Sequence, residues 1–237
     1  MAIPNTGFSH TWSLAIEEQF YLLWPLTFLA LRRNYTRMTR FLAGAIMAIW
    51  VYRETLVLIF DVRQGYIYEA FDTRADHLLM GCLLAVVLRA GLFPRFWNWI
   101  CVRSWAAVVV AVLLTVSSVA ESLCGPTYRD SISFIVNPLL TAIWITQLIA
   151  LRADPLWCWT SWGWLRYLGR ISYSVYLYQQ LIVAAPKKLL AHQPVVVQLA
   201  ATIAAIVLVA SASHFFVERP FLRLKTRFKQ TVAGTAP

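Results

Sequence analysis

Residues 8–25 read FSHTWSLAIEEQFYLLWP, a polar segment that runs without a break into an apolar helical sequence. Two adjacent glutamates, Glu17 and Glu18, stand where that helix would enter a membrane. A carboxylate at this depth is costly, so it is a functional candidate by default. The segment therefore predicts a membrane-entering helix with chemistry at its mouth, because a simple anchor has no need of these glutamates.

The composition of the whole chain also indicates a membrane protein. Of the 237 residues, 59% are hydrophobic and 14% are charged, whereas a soluble domain has roughly 45–50% apolar and roughly 25% charged residues. The apolar stretches lack the alternation of barrel strands, so they predict helices. We expect an all-α, polytopic transmembrane helical bundle of about seven spans, at about 14–31, 41–60, 75–91, 104–120, 131–151, 167–190 and 195–217.

The net charge of +10 follows membrane topology and does not indicate a nucleic-acid surface. Of the 21 basic residues, 15 fall in or beside the alternate connections on one side, 5 fall on the other side, and Arg53 lies inside a span. Under the positive-inside rule the richer side is cytoplasmic. This predicts an external N-terminus, a cytoplasmic C-terminus, one membrane domain over residues 1–218 and a basic tail over residues 219–237.

Four segments, in this order along the chain, resemble the membrane-bound acyltransferase family 3. They are HTWSLAIEEQFY at 10–21, FDTRADHLLMG at 71–81, LGRISYSVYLY at 168–178 and VERPF at 217–221. The family includes bacterial O-acetyltransferases of the O-antigen of lipopolysaccharide and of exopolysaccharide. The resemblance implies a bacterial inner-membrane enzyme that takes an acyl group, usually acetyl, from acyl-CoA on the cytoplasmic side. It delivers that group to a hydroxyl of a cell-surface glycan or glycolipid.

The chain departs from this family at its N-terminal end. Members have about ten spans, and the earlier spans carry a histidine and an Arg-x-x-Arg motif linked to acyl-CoA. Here Arg37 and Arg40 have that spacing but follow the Trp-Ser-Leu segment. Gln179 stands where many relatives have a histidine, and a glutamine cannot act as a general base. We therefore expect a truncated chain whose partner is a missing N-terminal half or a second copy.

Acyl transfer to a hydroxyl needs a base for its proton and a dipole for the developing oxyanion. The resemblance makes Glu17 the first catalytic residue, with Glu18, Ser13 and His77 as further candidates. Glu17 would orient a histidine or accept a sugar hydroxyl. The alternative is a carboxylate that merely stabilises the start of a helix. For His77 the alternative is a structural histidine at a helix start.

Other candidates are assigned to a substrate cavity or to the acyl-CoA side. The alternative to a cavity role for Arg74 and Asp76 is a surface ion pair. For Arg53 and Glu54 the alternative is a structural tether. Arg170 also fits a positive-inside anchor, and Glu218 is expected to pair with a nearby arginine. The cavity candidates are Trp12, Arg74, Asp76, Arg53, Glu54, Tyr173 and Tyr176, and the acyl-CoA candidates are Arg170 and Ser172.

Some chemistry is not expected from this sequence. The four cysteines have neither metal-ligand spacing nor a disulfide pattern, so no metal site is predicted. No bound cofactor is expected, since acyl-CoA would be a donor substrate. Ser172 has no His-Asp companions that would predict a serine nucleophile. Two other functions remain open, a transporter or flippase-like protein and an inactive remnant of an acyltransferase.

Overall fold

The computed structural model describes residues 11–60, 62, 64–189 and 193–222, and these residues form helices and no strand. Wide π turns cover Arg129–Ser133 and His214–Glu218, and a 3-10 turn covers Cys158–Ser161. The α-helices of this part of the chain are α1 Trp12–Leu31, α2 Tyr35–Leu58, α3 Gln64–Glu69, α4 Phe71–Arg89, α5 Pro94–Cys101, α6 Ser104–Cys124, α7 Pro126–Tyr128, α8 Phe134–Ala150, α9 Gly163–Leu189 and α10 Val195–Ser213.

The helices confirm the all-α membrane class. Four helical segments are long and apolar enough to cross a bilayer, and α4 with α5, bent by 103°, gives up to five. The seven predicted spans are therefore not confirmed within the described residues. The first and sixth predictions correspond to α1 and α9, whose acidic, basic and amide side chains lower their apolar character. The four segments are Tyr35–Leu58, Ser104–Cys124, Pro126–Ala150 and Val195–Leu222.

The chain divides into two compact units. Among the described residues, the first unit is Trp12–Thr160, and the second contains residue 11 and those between 161 and 222. The boundary predicted between a membrane domain and a tail at residue 219 stays a prediction. Most of that tail, residues 223–237, lies outside the described part of the chain.

In the first unit, α2 packs along α4, and α1 also packs against α4. Asn34 sets the start of α2, because its side-chain oxygen accepts a hydrogen bond from the backbone N–H of Arg37 at 3.0 Å. The core between α2 and α4 contains Met38, Leu42 and Val86. This packing places the last turns of α2 beside the first turns of α4.

In the second unit, α9 packs against α10, and Ser174 of α9 hydrogen-bonds to Glu218 of the π turn that follows α10. The Tyr167 hydroxyl donates a hydrogen bond to Ser211 Oγ at 2.6 Å, and the Ser213 hydroxyl donates to Tyr178 Oη at 3.5 Å. Interhelical hydrogen bonds of this kind hold spanning helices together where no water competes. The second unit therefore has a polar seam between its two long helices.

Candidate active site

A buried ion pair joins α2 to α4 in the first unit. Arg53 Nη1 lies 2.9 Å from Asp76 Oδ2, and the two side chains are 0% and 1% exposed. Arg53 Nη1 also donates to the Thr73 carbonyl oxygen at 2.8 Å. Trp50, three residues before Arg53 and thus on the same helix face, donates from Nε1 to Asp76 Oδ2 at 2.9 Å. The Asp76 carboxylate is therefore fixed by donors from the neighbouring helix.

His77 completes this arrangement. Its Nδ1 lies 2.8 Å from Asp76 Oδ1. Both carboxylate oxygens are acceptors here, so the Nδ1 of His77 carries the proton and donates. Its Nε2 then holds a lone pair, and it has no hydrogen-bond partner within the described residues. With a side chain 30% exposed, His77 has the geometry of a general base oriented by a carboxylate.

One aromatic ring gathers several cations beside this pair. The guanidinium carbons of Arg74, Arg53 and Arg129 lie 3.9, 5.4 and 6.0 Å from the centroid of the Phe134 ring. The His77 ring lies edge-on to Phe134 with centroids 5.7 Å apart. Stacking on an aromatic face offsets part of the cost of holding arginines away from water. His77 and these three arginines therefore lie around the same Phe134 ring.

Tyr68 connects these residues to the start of α1. The Arg74 and Arg129 guanidinium carbons lie 5.3 and 4.8 Å from its ring centroid, and the Trp12 ring lies 4.9 Å from the Tyr68 ring. Arg129 also donates from Nε to Asp130 Oδ1 at 2.7 Å. The site thus alternates aromatic rings with paired and unpaired guanidinium groups.

Several buried polar atoms at this site lack a partner within the described residues. The donors are Arg53 Nε and Nη2 and Arg74 Nη1, and a carboxylate acceptor on α2, Glu54 Oε1, also lacks a partner. A buried donor without a partner costs about 1–3 kcal/mol. Such donors are suited to a ligand oxygen that carries or develops negative charge. The arrangement can therefore combine proton removal at His77 with stabilisation of an oxyanion.

The structure brings together Trp12, Arg53, Arg74, Asp76 and His77, which the sequence places in three separate segments. The alternative of a surface ion pair between Arg74 and Asp76 does not hold, since Asp76 is buried and pairs with Arg53 and His77. The reason is that α2 presents Arg53 directly to the carboxylate, whereas Arg74 stacks on Phe134. Sequence reasoning missed the supporting residues Trp50, Tyr68 and Phe134.

Glu17 has a different environment. It is half-buried on α1, and Oε2 accepts a hydrogen bond of 3.4 Å from the Tyr21 hydroxyl within the same helix. Glu18 is exposed, and Ser13 lies in the first turn of α1. Their predicted catalytic roles stay predictions.

In the second unit, the predicted residues near the start of α9 are mostly at the surface. Arg170 and Tyr173 are exposed, and Tyr176 is half-buried. Ser172 is also exposed, and its hydroxyl donates to the Gly169 carbonyl oxygen at 2.8 Å. Their assignments to acyl-CoA or to a cavity stay predictions.

The predicted arginine partner of Glu218 stays a prediction, because the basic residues from Arg223 onwards lie outside the described part of the chain. Glu218 accepts a short hydrogen bond from the Ser174 hydroxyl, and its other oxygen lies 2.9 Å from His214 Nδ1. The π turn brings His214 to the carboxylate, and α9 supplies the serine. Sequence reasoning did not single out His214, although its spacing of four from Glu218 was an available signal.

Over the described ranges, no three His, Cys, Asp or Glu side chains lie close enough together to hold a metal ion. The polar side chains of the site carry guanidinium, imidazole and carboxylate groups.

A helical membrane protein with a carboxylate-oriented imidazole and unpaired guanidinium groups fits a class of acyl-transferring enzymes. The family model described as an acyltransferase domain, for acyltransferase family 3, matches residues 1–214. Because that match covers most of the chain, this protein belongs to the family. The resemblance inferred from the four sequence segments is confirmed.

Curated proteins are also similar to this chain. The chain is 30% identical over 219 residues to the peptidoglycan O-acetyltransferase OatA of Listeria monocytogenes, across 88% of this chain and 34% of that protein. It is 28% identical over 221 residues to YrhL of Bacillus subtilis, with 88% and 34% covered. The O-acetyltransferase OatA of Staphylococcus aureus is 36% identical over 81 residues, covering 33% of this chain and 13% of that protein.

The chain spans about a third of the length of the first two relatives. No solved structure matches it.

Proposed function

We propose that this protein is an integral membrane O-acyltransferase that moves an acyl group, acetyl in the first instance, from acyl-CoA to a hydroxyl of a cell-surface glycan or glycolipid. The names of the relatives make peptidoglycan the first acceptor to test. The proposed location is the bacterial inner membrane, with about seven spans, an external N-terminus and a cytoplasmic C-terminus. The distribution of basic residues supports this orientation.

The observation that carries the proposal is the Asp76–His77 pair beside Arg53. In the proposed reaction, Nε2 of His77 takes the proton of the acceptor hydroxyl as the hydroxyl oxygen attacks the acyl carbonyl carbon. The imidazole becomes cationic at that moment, and Asp76, at 2.8 Å from Nδ1, stabilises the charge. Collapse of the adduct breaks the bond from the acyl carbon to its carrier, acyl-CoA in this scheme, and the thiolate leaves with the proton of the imidazolium.

The oxyanion that forms on the acyl carbonyl needs preorganised donors. Arg53 and Arg74 keep unpaired N–H groups, and both guanidinium groups lie over the Phe134 ring that also contacts His77. Removal of one such donor from an acyl-transfer enzyme costs on the order of 10²–10³ in kcat. These two arginines are therefore the proposed oxyanion donors.

Other predicted residues take supporting roles in the proposal. Glu17, with Glu18 and Ser13 nearby on α1, would bind the acceptor glycan at the external edge of the membrane. Arg170 and Ser172 would lie on the side that admits acyl-CoA, as arginine suits phosphate geometry. Tyr173 and Tyr176 stay proposed cavity residues.

The test is the variant His77→Gln, with the exposed change Arg95→Gln as a control that introduces the same amide. Glycan O-acetylation is measured as acetate released by mild alkali from cell walls of an acetylation-deficient host. We expect His77→Gln to lower acetylation at least about 100-fold at an unchanged membrane level, and Arg95→Gln to leave acetylation unchanged.

Undiminished acetylation by His77→Gln would contradict the proposed base. If the unmodified chain moves lipid or substrate across vesicle membranes and transfers no acyl group, the transporter alternative is correct. If activity needs a longer protein that supplies further N-terminal spans, the chain is incomplete by itself.

A further inference from the structure

The second unit contains a hydrogen-bonded group that the proposed chemistry at His77 does not use. It consists of His214 and Glu218 on the π turn and Ser174 on α9. The side chains of His214 and Glu218 are 14% and 20% exposed, whereas Ser174 is 1% exposed. The imidazole of His214 is thus partly accessible to solvent, whereas the Ser174 hydroxyl is buried.

The hydrogen bonds define what each member can do. Ser174 donates to one oxygen of Glu218, and His214 Nδ1 donates to the other at 2.9 Å. The carboxylate is thereby held as an acceptor from both sides. Nε2 of His214 keeps its lone pair, and within the described residues it has neither a hydrogen-bond partner nor full burial. The imidazole is therefore poised as a nucleophile or a base.

The backbone at this point is unusual. His214 and Glu218 begin and end a five-residue π segment inserted between α10 and the final helical turn. Single π turns inside α-helices occur frequently at functional sites, since they interrupt regular helix hydrogen bonding. Here His214 and Glu218 are the first and last residues of the π segment, and Glu218 contacts Ser174 of α9.

Basic residues surround the group in sequence. Arg219 follows Glu218 directly, with its guanidinium carbon 5.7 Å from the Phe215 ring centroid. Arg166 and Arg170 lie near the start of α9, the helix that supplies Ser174. Positive-inside reasoning assigns these ends to the cytoplasmic face. A donor with phosphate groups would meet guanidinium partners at that face.

The serines of this region are poorly placed to accept an acyl group. Ser174 is buried and donates to Glu218. The Ser172 hydroxyl donates to the Gly169 carbonyl oxygen and has no base in contact with it among the described side chains. Of the nucleophilic side chains here, His214 combines accessibility with an orienting carboxylate.

We propose that His214 accepts the acyl group from a thioester donor of the acyl-CoA class, with Glu218 as its positioning residue. This inference rests on the proposed function. Nε2 of His214 bonds to the thioester carbonyl carbon, and the carbon–sulfur bond breaks. Its electron pair leaves with the sulfur as a thiolate, which takes a proton from water. The imidazolium that forms is balanced by Glu218. When the oxygen of an acceptor hydroxyl bonds to the acyl carbon, the nitrogen–carbon bond breaks, the hydroxyl proton passes to a base, and neutral His214 is restored.

The test uses the full chain purified in detergent, mixed with radiolabelled acetyl-CoA and no glycan. Free thiol is followed with a chromogenic thiol reagent, and label is located by peptide mapping. We expect a burst of about one CoA per chain and label on the peptide that contains residue 214. His214→Gln should abolish both. Glu218→Gln should slow the burst about 10–100-fold while the acetyl-CoA concentration for half-maximal rate stays unchanged.

A merely structural role for Glu218 predicts a different result, namely loss of monodisperse protein or a smaller burst amplitude at an unchanged rate. A full burst in His214→Gln, or label on another residue, would overturn the inference while leaving the proposed function intact. His77→Gln separates the two proposals, since it should keep the burst and lose transfer to glycan. No consumption of acetyl-CoA by the unmodified chain would overturn the inference, whereas glycan acetylation in the acetylation-deficient host tests the proposed function separately.

Discussion

The two units each contain an imidazole that hydrogen-bonds to a carboxylate, but different groups stabilise the two carboxylates. In the first unit, Asp76 and His77 are adjacent in sequence, and the carboxylate is 1% exposed beside the buried guanidinium of Arg53. In the second unit, Glu218 is 20% exposed and lies four residues after His214. Its additional contact is the Ser174 hydroxyl. The same pairing therefore rests on a buried ion pair in one unit and on a neutral donor in the other.

This difference separates the chemistry that each pair can support. Asp76 is already paired with Arg53, so it offsets only part of the positive charge that His77 gains with a proton, and a short-lived imidazolium is favoured. Glu218 has no guanidinium or ammonium partner within the described ranges. It can therefore stabilise a cationic imidazole more fully, which suits a covalent acyl-imidazolium better than a transient proton.

The largest expected effect comes from removal of the cation in the first unit. Arg53→Met leaves Asp76 buried without its ion-pair partner, and the loss of one partner of such a pair costs about 3–5 kcal/mol. We expect a pronounced fall in the thermal unfolding midpoint and in membrane level. The measurement is thermal unfolding in detergent, followed by tryptophan fluorescence.

A matched double variant tests the electrostatic reason. Arg53→Met combined with Asp76→Asn removes both charges, so it should recover much of the midpoint that Arg53→Met loses. If the double variant is as unstable as the single one, packing and not charge pairing holds α2 against α4.

A smaller effect is expected from the corresponding change in the second unit. Ser174→Ala removes a neutral donor from Glu218, and interhelical hydrogen bonds in membranes contribute about 0.6 kcal/mol, with a maximum near 1.7 kcal/mol. The same unfolding assay should show a modest decrease in the midpoint. A loss as large as that of Arg53→Met would show that the two pairs are held with similar strength, and the comparison would then break down.

The smallest effect on stability is expected at Glu17, which belongs to neither pair. Glu17→Gln should change the free energy of unfolding by less than about 0.5 kcal/mol, because its hydrogen bond to Tyr21 is long and lies near the surface. Glycan acetylation should nevertheless fall if Glu17 binds the acceptor. Unchanged acetylation would remove Glu17 from the site and leave the acceptor step to His77 and its neighbours.

Part of this arrangement could be predicted from the sequence. Composition predicts helices in a membrane, and the segment at 71–81 places Arg74, Asp76 and His77 within one turn of α4. Arg53 stands out because a charge inside a span is rare. Local spacing is sufficient for these conclusions, since they depend on one helix at a time.

The partners of those residues could not be predicted, because they depend on packing between helices. Nothing in the local sequence indicates that Asp76 pairs with Arg53 and not with Arg74. Phe134 is one of 13 phenylalanines, and it becomes distinctive only when the start of α8 reaches α4. His214 lies at the end of an apolar run, and the serine that completes its site comes from a different helix.

Phe134 links three cationic side chains of the first unit to the position of α8. Its one ring is shared by the guanidinium groups of Arg53, Arg74 and Arg129, which come from α2, α4 and the π turn. These like charges would repel one another at close range, and the electron-rich ring face between them weakens that repulsion. A tilt of α8 would consequently displace the common seat of all three cations together. The positions of the three guanidinium groups are thereby linked to the angle of a single helix.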